Sequence, residues 1–360
     1  MTHNRAPFSI DSPAWRWVPL LAALLLGGCG TLDYYGQLAR GQFELLRARQ
    51  PVERLLADPA TPAPLRQRLS LAQQARSFAS AALALPDNRS YRLYADLGRP
   101  YVLWNLFATG EFSVEPELHC FPIAGCVAYR GYYRQGRARG AAALLRQQGL
   151  DTYIGGVEAY STLGWFDDPL LNTMLAWSDE RLVAVIFHEL AHQQLYVAGD
   201  TAFNESFATF IEREGLRQWR ASRGLAEADA APERQRAQFS ELVLASRERL
   251  RILYAGDLPT AAMRAAKQAE FARLRRDYRT LRERQWGGVG RYDAWVEAPL
   301  NNAKLLPFGL YDRWVPAFAR LYAEAGGAWP AFYRRAERLG RLPAPQRAEA
   351  LQALQGDGQN

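Results

Sequence analysis

Apolar and polar positions recur along this chain with periods that change from segment to segment, and the periods predict a mostly helical protein with a small sheet. Residues 18–26 are almost wholly apolar and follow a polar stretch with two arginines. A helical region begins after Cys29 and is broken around Asp58-Pro59-Ala60-Thr61-Pro62-Ala63-Pro64. Residues 65–85, rich in Ala, Leu and Arg, carry apolar positions at helical spacing and stop at Pro86-Asp87-Asn88. Residues 101–133 are instead aromatic and β-branched, with turn residues between short runs, which predicts hairpin-like sheet. Helix returns over 138–148, and 151–160 reads as a further strand. Ser178 can cap a helix whose first turn holds Asp179 and Glu180, the charges suited to the positive end of its dipole. Val183, Ile186, Phe187 and Leu190 carry that helix to about Val197. A loop with Gly199-Asp200 leads to a second helix from about Asn204 to Glu214, stopped near Gly215. Residues 232–285 form two Arg/Glu/Ala/Leu stretches around Gly256-Asp257-Leu258-Pro259-Thr260, an antiparallel helical hairpin with a solvated charged face. Residues 292–339 are again helical and rich in Trp, Tyr and Phe. The pattern predicts an α+β protein, predominantly helical, without an internal repeat.

Composition narrows the class. With 360 residues, 49% of them hydrophobic and 12% aromatic, there is ample material for a core, and global disorder is excluded. The net charge of +7 invites a nucleic-acid reading. Yet only Lys267 and Lys304 are lysines among the 44 basic residues, so the other 42 are arginines, a bias spread over every basic position. There is no compact basic cluster interleaved with aromatics, so no nucleic-acid partner is expected.

The apolar run at 18–26 is too short to span a bilayer and reads as a secretory signal. It ends in Leu26-Gly27-Gly28-Cys29, which resembles the lipobox of bacterial lipoproteins. That resemblance implies a signal peptide over 1–28, lipidation of Cys29 and a mature domain over 29–360. Gly30 after the cysteine implies outer-membrane sorting, with the body of the protein lipid-anchored and facing the periplasm. Cys120 and Cys126 then remain as an even pair in an oxidising compartment, and a local disulfide is expected. The alternative is a His119-Cys120-Cys126 metal site.

Candidate chemistry concentrates in Val185-Ile186-Phe187-His188-Glu189-Leu190-Ala191-His192. Histidines four apart lie one turn apart on one helix face, so both imidazoles can reach one metal ion. Glu189 projects beside that ion and can accept a proton from a metal-bound water, which is the logic of the H-E-x-x-H zincin motif. A catalytic zinc needs a third protein ligand. Asn204-Glu205-Ser206-Phe207-Ala208 resembles the Asn-Glu-Gly-Phe-Ala signature of gluzincin metallopeptidases, which implies Glu205 as that ligand. Twelve residues separate His192 from Glu205, a shorter gap than the well-known aminopeptidases have, so Asp200 and Glu212 stay in contention. Thr209 and Glu212 lie on the face of Glu205 and could hydrogen-bond a ligand histidine.

Upstream, Gly155-Gly156 allows close backbone approach, and an exposed strand edge here could pair with an extended peptide, as the edge strand of zincins does beside the active-site helix. Gly156 and Glu158 are thus candidate substrate-binding residues, with Glu158 able to bind a free α-amine. Tyr160, Tyr311 and His119 are candidate donors to a tetrahedral oxyanion.

Five features together carry a wider resemblance: the lipobox, residues 120–132, residues 159–169, the two helices with His-Glu-x-x-His and Asn-Glu-Ser-Phe-Ala, and Leu300-Asn301-Asn302-Ala303-Lys304. In these the chain resembles the putative aminopeptidase family of bacterial lipoproteins over nearly all its mature length. The resemblance implies a zincin-like metallopeptidase with a small sheet beside the active-site helix. It further implies one Zn2+ per chain and aminopeptidase action on peptides in the periplasm. An endoprotease in envelope quality control, and a non-catalytic envelope binding protein using the 232–285 hairpin, are the competing readings.

Overall fold

The computed structural model describes residues 18–121, 125–159, 161–227, 229–308 and 313–356. Its architecture is mostly helical with three small sheets, an α+β arrangement. A first unit, Met1–Arg47, contains helix α1 (Val18–Arg47). Cys29 is in α1, and its side chain lies outside the described part. Among the described residues, no helix is long and apolar enough to cross a membrane.

The second unit, Ala48–Asn360, holds everything that follows. It begins with β1 (Arg49–Pro51), α2 (Val52–Ala57) and α3 (Ala63–Ala81). After β2 (Leu93–Ala95), strands β3 (Leu103–Thr109), β4 (His119–Phe121), β5 (Gly125–Val127) and β6 (Arg130–Tyr132) realise the aromatic, β-branched region as sheet. After α4 (Gln135–Gln147), β7 (Asp151–Val157) pairs antiparallel with β3 in a sheet of order β6-β3-β7, which leaves β7 at an edge. β8 (Leu170–Leu171) runs parallel to β2 in the sheet β1-β2-β8 and leads into α5 (Asn172–Leu175) and α6 (Asp179–Gln194). Helix α7 (Thr201–Ser222) follows. Next come the hairpin helices α8 (Ala231–Tyr254) and α9 (Thr260–Gln285), close to the expected bounds. The C-terminal part is α10 (Asp293–Glu297), α11 (Asn302–Leu305), α12 (Val315–Glu324), α13 (Trp329–Gly340) and α14 (Ala344–Gly356).

Two aromatic cores account for the clustered rings of the sequence. In one, Phe207 of α7 stacks on Phe332 of α13 and meets Phe318 of α12 edge-on. In the other, Phe239, Val243 and Leu250 of α8 close on Phe271, Leu274 and Tyr278 of α9. Both lysines are interior, each 5% exposed. Lys267 Nζ donates to Asp151 Oδ2 at 2.6 Å and to the Glu111 carbonyl at 2.8 Å, joining α9 to the start of β7. Lys304 Nζ donates to the Trp295 carbonyl at 2.7 Å, and burial lowers its pKa to about 8. A compact ammonium with three donors satisfies such interior acceptors, a carboxylate and a carbonyl at Lys267 and backbone carbonyls at Lys304.

Cys120 and Cys126 are directly opposed in the β4–β5 register and are disulfide-bonded, with Cα atoms 3.9 Å apart. Their sulfurs are thus occupied, which overturns the alternative of a His-Cys-Cys metal site.

Helices α6 and α7 differ from expectation in their bounds. Helix α6 ends at Gln194 rather than near Val197, because the Asn204 side-chain amide captures both polar groups of the Val197 backbone, each at 2.8 Å. Helix α7 begins earlier, at Thr201, with Asp200 as N-cap accepting from the Phe203 N–H at 3.0 Å. It also runs through Gly215 instead of stopping there. That glycine is a contact: a Cβ on it would lie 2.8 Å from Leu83 Cδ1 and 2.9 Å from Phe187 Cδ2. Leu83 and Phe187 are both 0% exposed and have no room to retreat. Gly215→Ala should therefore lower the Tm, because overpacking costs about 1–3 kcal/mol against a helix-propensity gain of about 1 kcal/mol. Thermal unfolding followed by circular dichroism checks this, and a raised Tm would mean the contact is slack.

A candidate metal centre between two helices

Helix α6 forms where the sequence places it. Ser178 Oγ accepts from the Arg181 N–H at 3.3 Å as the N-cap. Asp179 and Glu180 also pair with Arg68 of α3 and Arg220 of α7, so the acidic first turn ties the helix to its neighbours. Its apolar stripe, with Ile186, Phe187, Leu190 and Ala191 all at 0% exposure, is buried. This burial fixes the rotation of the helix and turns His188 and His192 towards α7.

Three side chains meet there. His188 Nε2 and His192 Nε2 are 3.1 Å apart, and Glu205 Oε2 lies 3.4 Å from the first and 3.8 Å from the second. Among the described residues they form the one such group of possible metal ligands. Side-chain exposures of 12%, 10% and 19% leave the cluster reachable from solvent while shielding most of it. A tetrahedral ion with ligand bonds of about 2.0–2.1 Å holds its donor atoms about 3.3 Å apart. The three separations bracket that value, so the donor set fits such an ion.

The competing carboxylates take other places. Asp200 caps α7 and pairs with Arg347 Nη2 at 2.7 Å, away from the cluster. Glu212 accepts from His188 Nδ1 at 2.9 Å. With the proton on Nδ1, that bond leaves Nε2 free to ligate, the arrangement that orients a ligating imidazole. Thr209 is buried and makes no described hydrogen bond to either histidine. His192 Nδ1 is buried without a hydrogen-bond partner among the described residues.

Burial sets the electrostatics. It pushes His192 down to about 4, so this imidazole is neutral, the form that can ligate. Burial acts in the same direction on His188, but hydrogen bonds to Glu205 and Glu212 and their charges outweigh it and raise its pKa well above the usual histidine value. For Glu205, burial raises the pKa but the two histidines prevail and lower it. The pair of carboxylates thus favours positive charge between the imidazoles, which a cation supplies. Glu189 is pushed up to about 7, first by burial, then against the opposing pull of His188 by the nearby carboxylates of Glu205, Asp168 and Glu212.

The remaining candidates are dispersed. Glu158, just past β7, accepts from Arg181 Nη2 at 2.7 Å and from Trp177 Nε1 at 3.1 Å, so its carboxylate is already engaged. This pair links the end of β7 to the first turn of α6. Gly156 has a packing role: a Cβ on it would be 2.5 Å from the Tyr101 ring. His119 sits on β4, with its pKa lowered by burial and by Arg130, and joins no cluster of possible ligands among the described residues. Its hairpin touches the α6–α7 turn, where Gly125 lies against Gly199. Tyr160 and Tyr311 lie outside the described residues. Sequence reasoning passed over Asn204, whose amide shapes the turn, and Gln193 and Asp168, which join the face of α6 beside the histidines to the preceding loop. The asparagine was visible within the Asn-Glu-Ser-Phe-Ala signature, but its role depends on a backbone seven residues away.

Comparison with known proteins agrees with the family resemblance. No curated protein and no solved structure matches the chain. Residues 33–351 match a family model described as putative aminopeptidase, which spans most of the chain and suggests peptide hydrolysis. The chain belongs to the putative aminopeptidase family.

Proposed function

We propose that this protein is a zinc-dependent aminopeptidase. The observation that carries the reading is the meeting of His188, His192 and Glu205 within 3.1–3.8 Å, with Glu189 beside them on the same helix. His188 Nε2, His192 Nε2 and a Glu205 oxygen would hold the ion. When bound, zinc supplies a Lewis acid and lowers the pKa of a coordinated water towards neutrality. Glu189 accepts the proton of the attacking water and returns it to the leaving amine. A carboxylate at about 7 is suited to both transfers near neutral pH. Glu212 keeps His188 in the required tautomer and orientation. The edge strand β7 can receive an extended peptide by main-chain pairing, leading it towards α6 through Glu158.

One observation favours the endoprotease reading. An α-amine at Glu158 would have to share its carboxylate with Arg181. The cellular setting rests on sequence alone: the lipobox supports a signal peptide over 1–28 and a lipid anchor on Cys29. We place the enzyme at the outer membrane, facing the periplasm, on that ground.

Glu189→Gln should retain one zinc per chain by elemental analysis while kcat falls about 10²–10⁴-fold; full activity in this variant would sink the mechanism. Chelation should abolish hydrolysis and Zn2+ should restore it, whereas His192→Ala and Glu205→Ala should not hold the ion under the same conditions. Glu212→Ala should weaken zinc binding about 10–100-fold without removing a ligand, as read by competition with a chromophoric chelator. Peptides with free and acetylated N-termini separate the two peptidase readings, since internal cleavage of the blocked set would overturn aminopeptidase action.

A further inference from the structure

The segment between β7 and β8 meets α6 at Gln193, one turn beyond Glu189 on a common face. Gln193 is held at both ends of its amide. Asn88 Nδ2 donates to its Oε1 at 2.7 Å, while its Nε2 donates to Ser90 Oγ at 3.3 Å and reaches Asp168 Oδ2 at 3.5 Å. Gly164 sits over this side chain, since a Cβ there would be 3.5 Å from Gln193 Oε1.

Asp168 is the hub of the segment and is only 2% exposed. Its Oδ1 accepts from Thr162 Oγ1 at 2.7 Å, and its Oδ2 accepts from the Thr162 N–H at 3.0 Å and Ser161 Oγ at 3.4 Å. Thr162 Oγ1 accepts the Phe166 N–H at 3.1 Å, and the Thr162 carbonyl accepts the Trp165 N–H at 3.1 Å. The chain reverses at Leu163 and Gly164, with φ of +58° and +81°. A carboxylate is costly to bury, so a loop wound around one that it satisfies is held in a single shape.

What this rigid loop presents to solvent is apolar. Trp165 is 68% exposed and Phe166 46% exposed. Of the eight tryptophans among the described residues, Trp165 is the one exposed. The two rings stand on a loop anchored to the helix that carries the candidate base, and they follow the Glu158 end of the edge strand within the same connection.

We propose that the Thr162–Asp168 loop is a specificity wall of the candidate centre, on which Trp165 and Phe166 receive an apolar or aromatic side chain of the peptide substrate. Asp168 is the positioning residue that fixes the wall to Gln193. This deepens the metallopeptidase reading and rests on it. The apolar surface of the two exposed rings favours Leu- or Phe-sized side chains over charged ones.

The test compares zinc-loaded full-length wild type with Trp165→Ala, Phe166→Ala and Asp168→Asn on free-amine peptides that carry Leu, Phe or Ala at each residue flanking the cleaved bond. The wild type should prefer the Leu and Phe peptides. Trp165→Ala should lower the ratio of kcat/KM for Phe over Ala about tenfold, mainly through KM, and Asp168→Asn should lower the same ratio. Ile252→Ala, exposed on α8, controls for loss of any surface apolar group and should leave the ratio unchanged. An unchanged ratio in both aromatic variants would overturn the wall. Binding of the same peptides to Glu189→Gln protein, with and without Trp165→Ala, gives a readout free of turnover. Absence of hydrolysis by wild type with selective loss of Phe-peptide binding in the Trp165 variant would reject the peptidase reading and keep the wall. Equal binding with and without Trp165 would reject the wall.

Discussion

Two helices must approach closely enough for three donor atoms to come within about one ligand–ligand distance of each other, and the rest of the unit is arranged around that approach. His188 and His192 are set by one turn of α6, but Glu205 comes from a different helix, after a turn. The turn is fixed at both ends. The Asn204 amide holds the Val197 backbone, and Asp200 caps α7 while pairing with Arg347 of α14. Further along α7, Gly215 lets Phe187 of α6 pack at a distance no side chain would permit. The short gap between the motif histidines and Glu205 is thus accommodated by a tight, well-bonded turn.

Burial gives this cluster its chemical character. The same desolvation that neutralises His192 raises Glu189, and only the carboxylates of Glu205 and Glu212 make His188 an exception. A neutral His192 and a pair of carboxylates drawing positive charge to His188 are matched to a cation. Support for the helices is also polar and interior. Arg76 of α3, 1% exposed, donates to the carbonyls of Ser90, Pro86 and Asn88, and the loop it shapes carries the residues that hold Gln193. The charge excess that suggested an anionic partner is in part internal scaffolding of this kind.

Local rules read well wherever the determinants are close in sequence. The cap at Ser178, the acidic first turn, the paired histidines and the break between α8 and α9 all depend on residues within a turn or two of one another. Gly215 shows where that reading fails. A glycine beside a helical stretch resembles a terminator, yet here it answers to Leu83 and Phe187, neither near it in the chain. Glu158 is a similar case. Its position beside a glycine-rich strand suggests a substrate amine, while the fold supplies Arg181 and Trp177 as partners.

The scarcity of lysine is informative in the same way. A count of two against 42 arginines reads as a compositional bias, and only the fold shows both lysines in the interior, Lys267 on the Asp151 carboxylate and a carbonyl and Lys304 on carbonyls. By itself the sequence determined the helical class with its small sheets and the two-histidine helix with its candidate donor atoms, because periodicity, capping and i,i+4 spacing are local properties of the chain. Tertiary structure decided that Glu205 reaches the Nε2 atoms of both histidines while Glu212 meets only His188 Nδ1 and Asp200 caps α7, and that an aspartate at 168 braces the loop beside them. Which carboxylate reaches which nitrogen is a matter of helix crossing and burial, and these are set by packing between residues far apart in the chain.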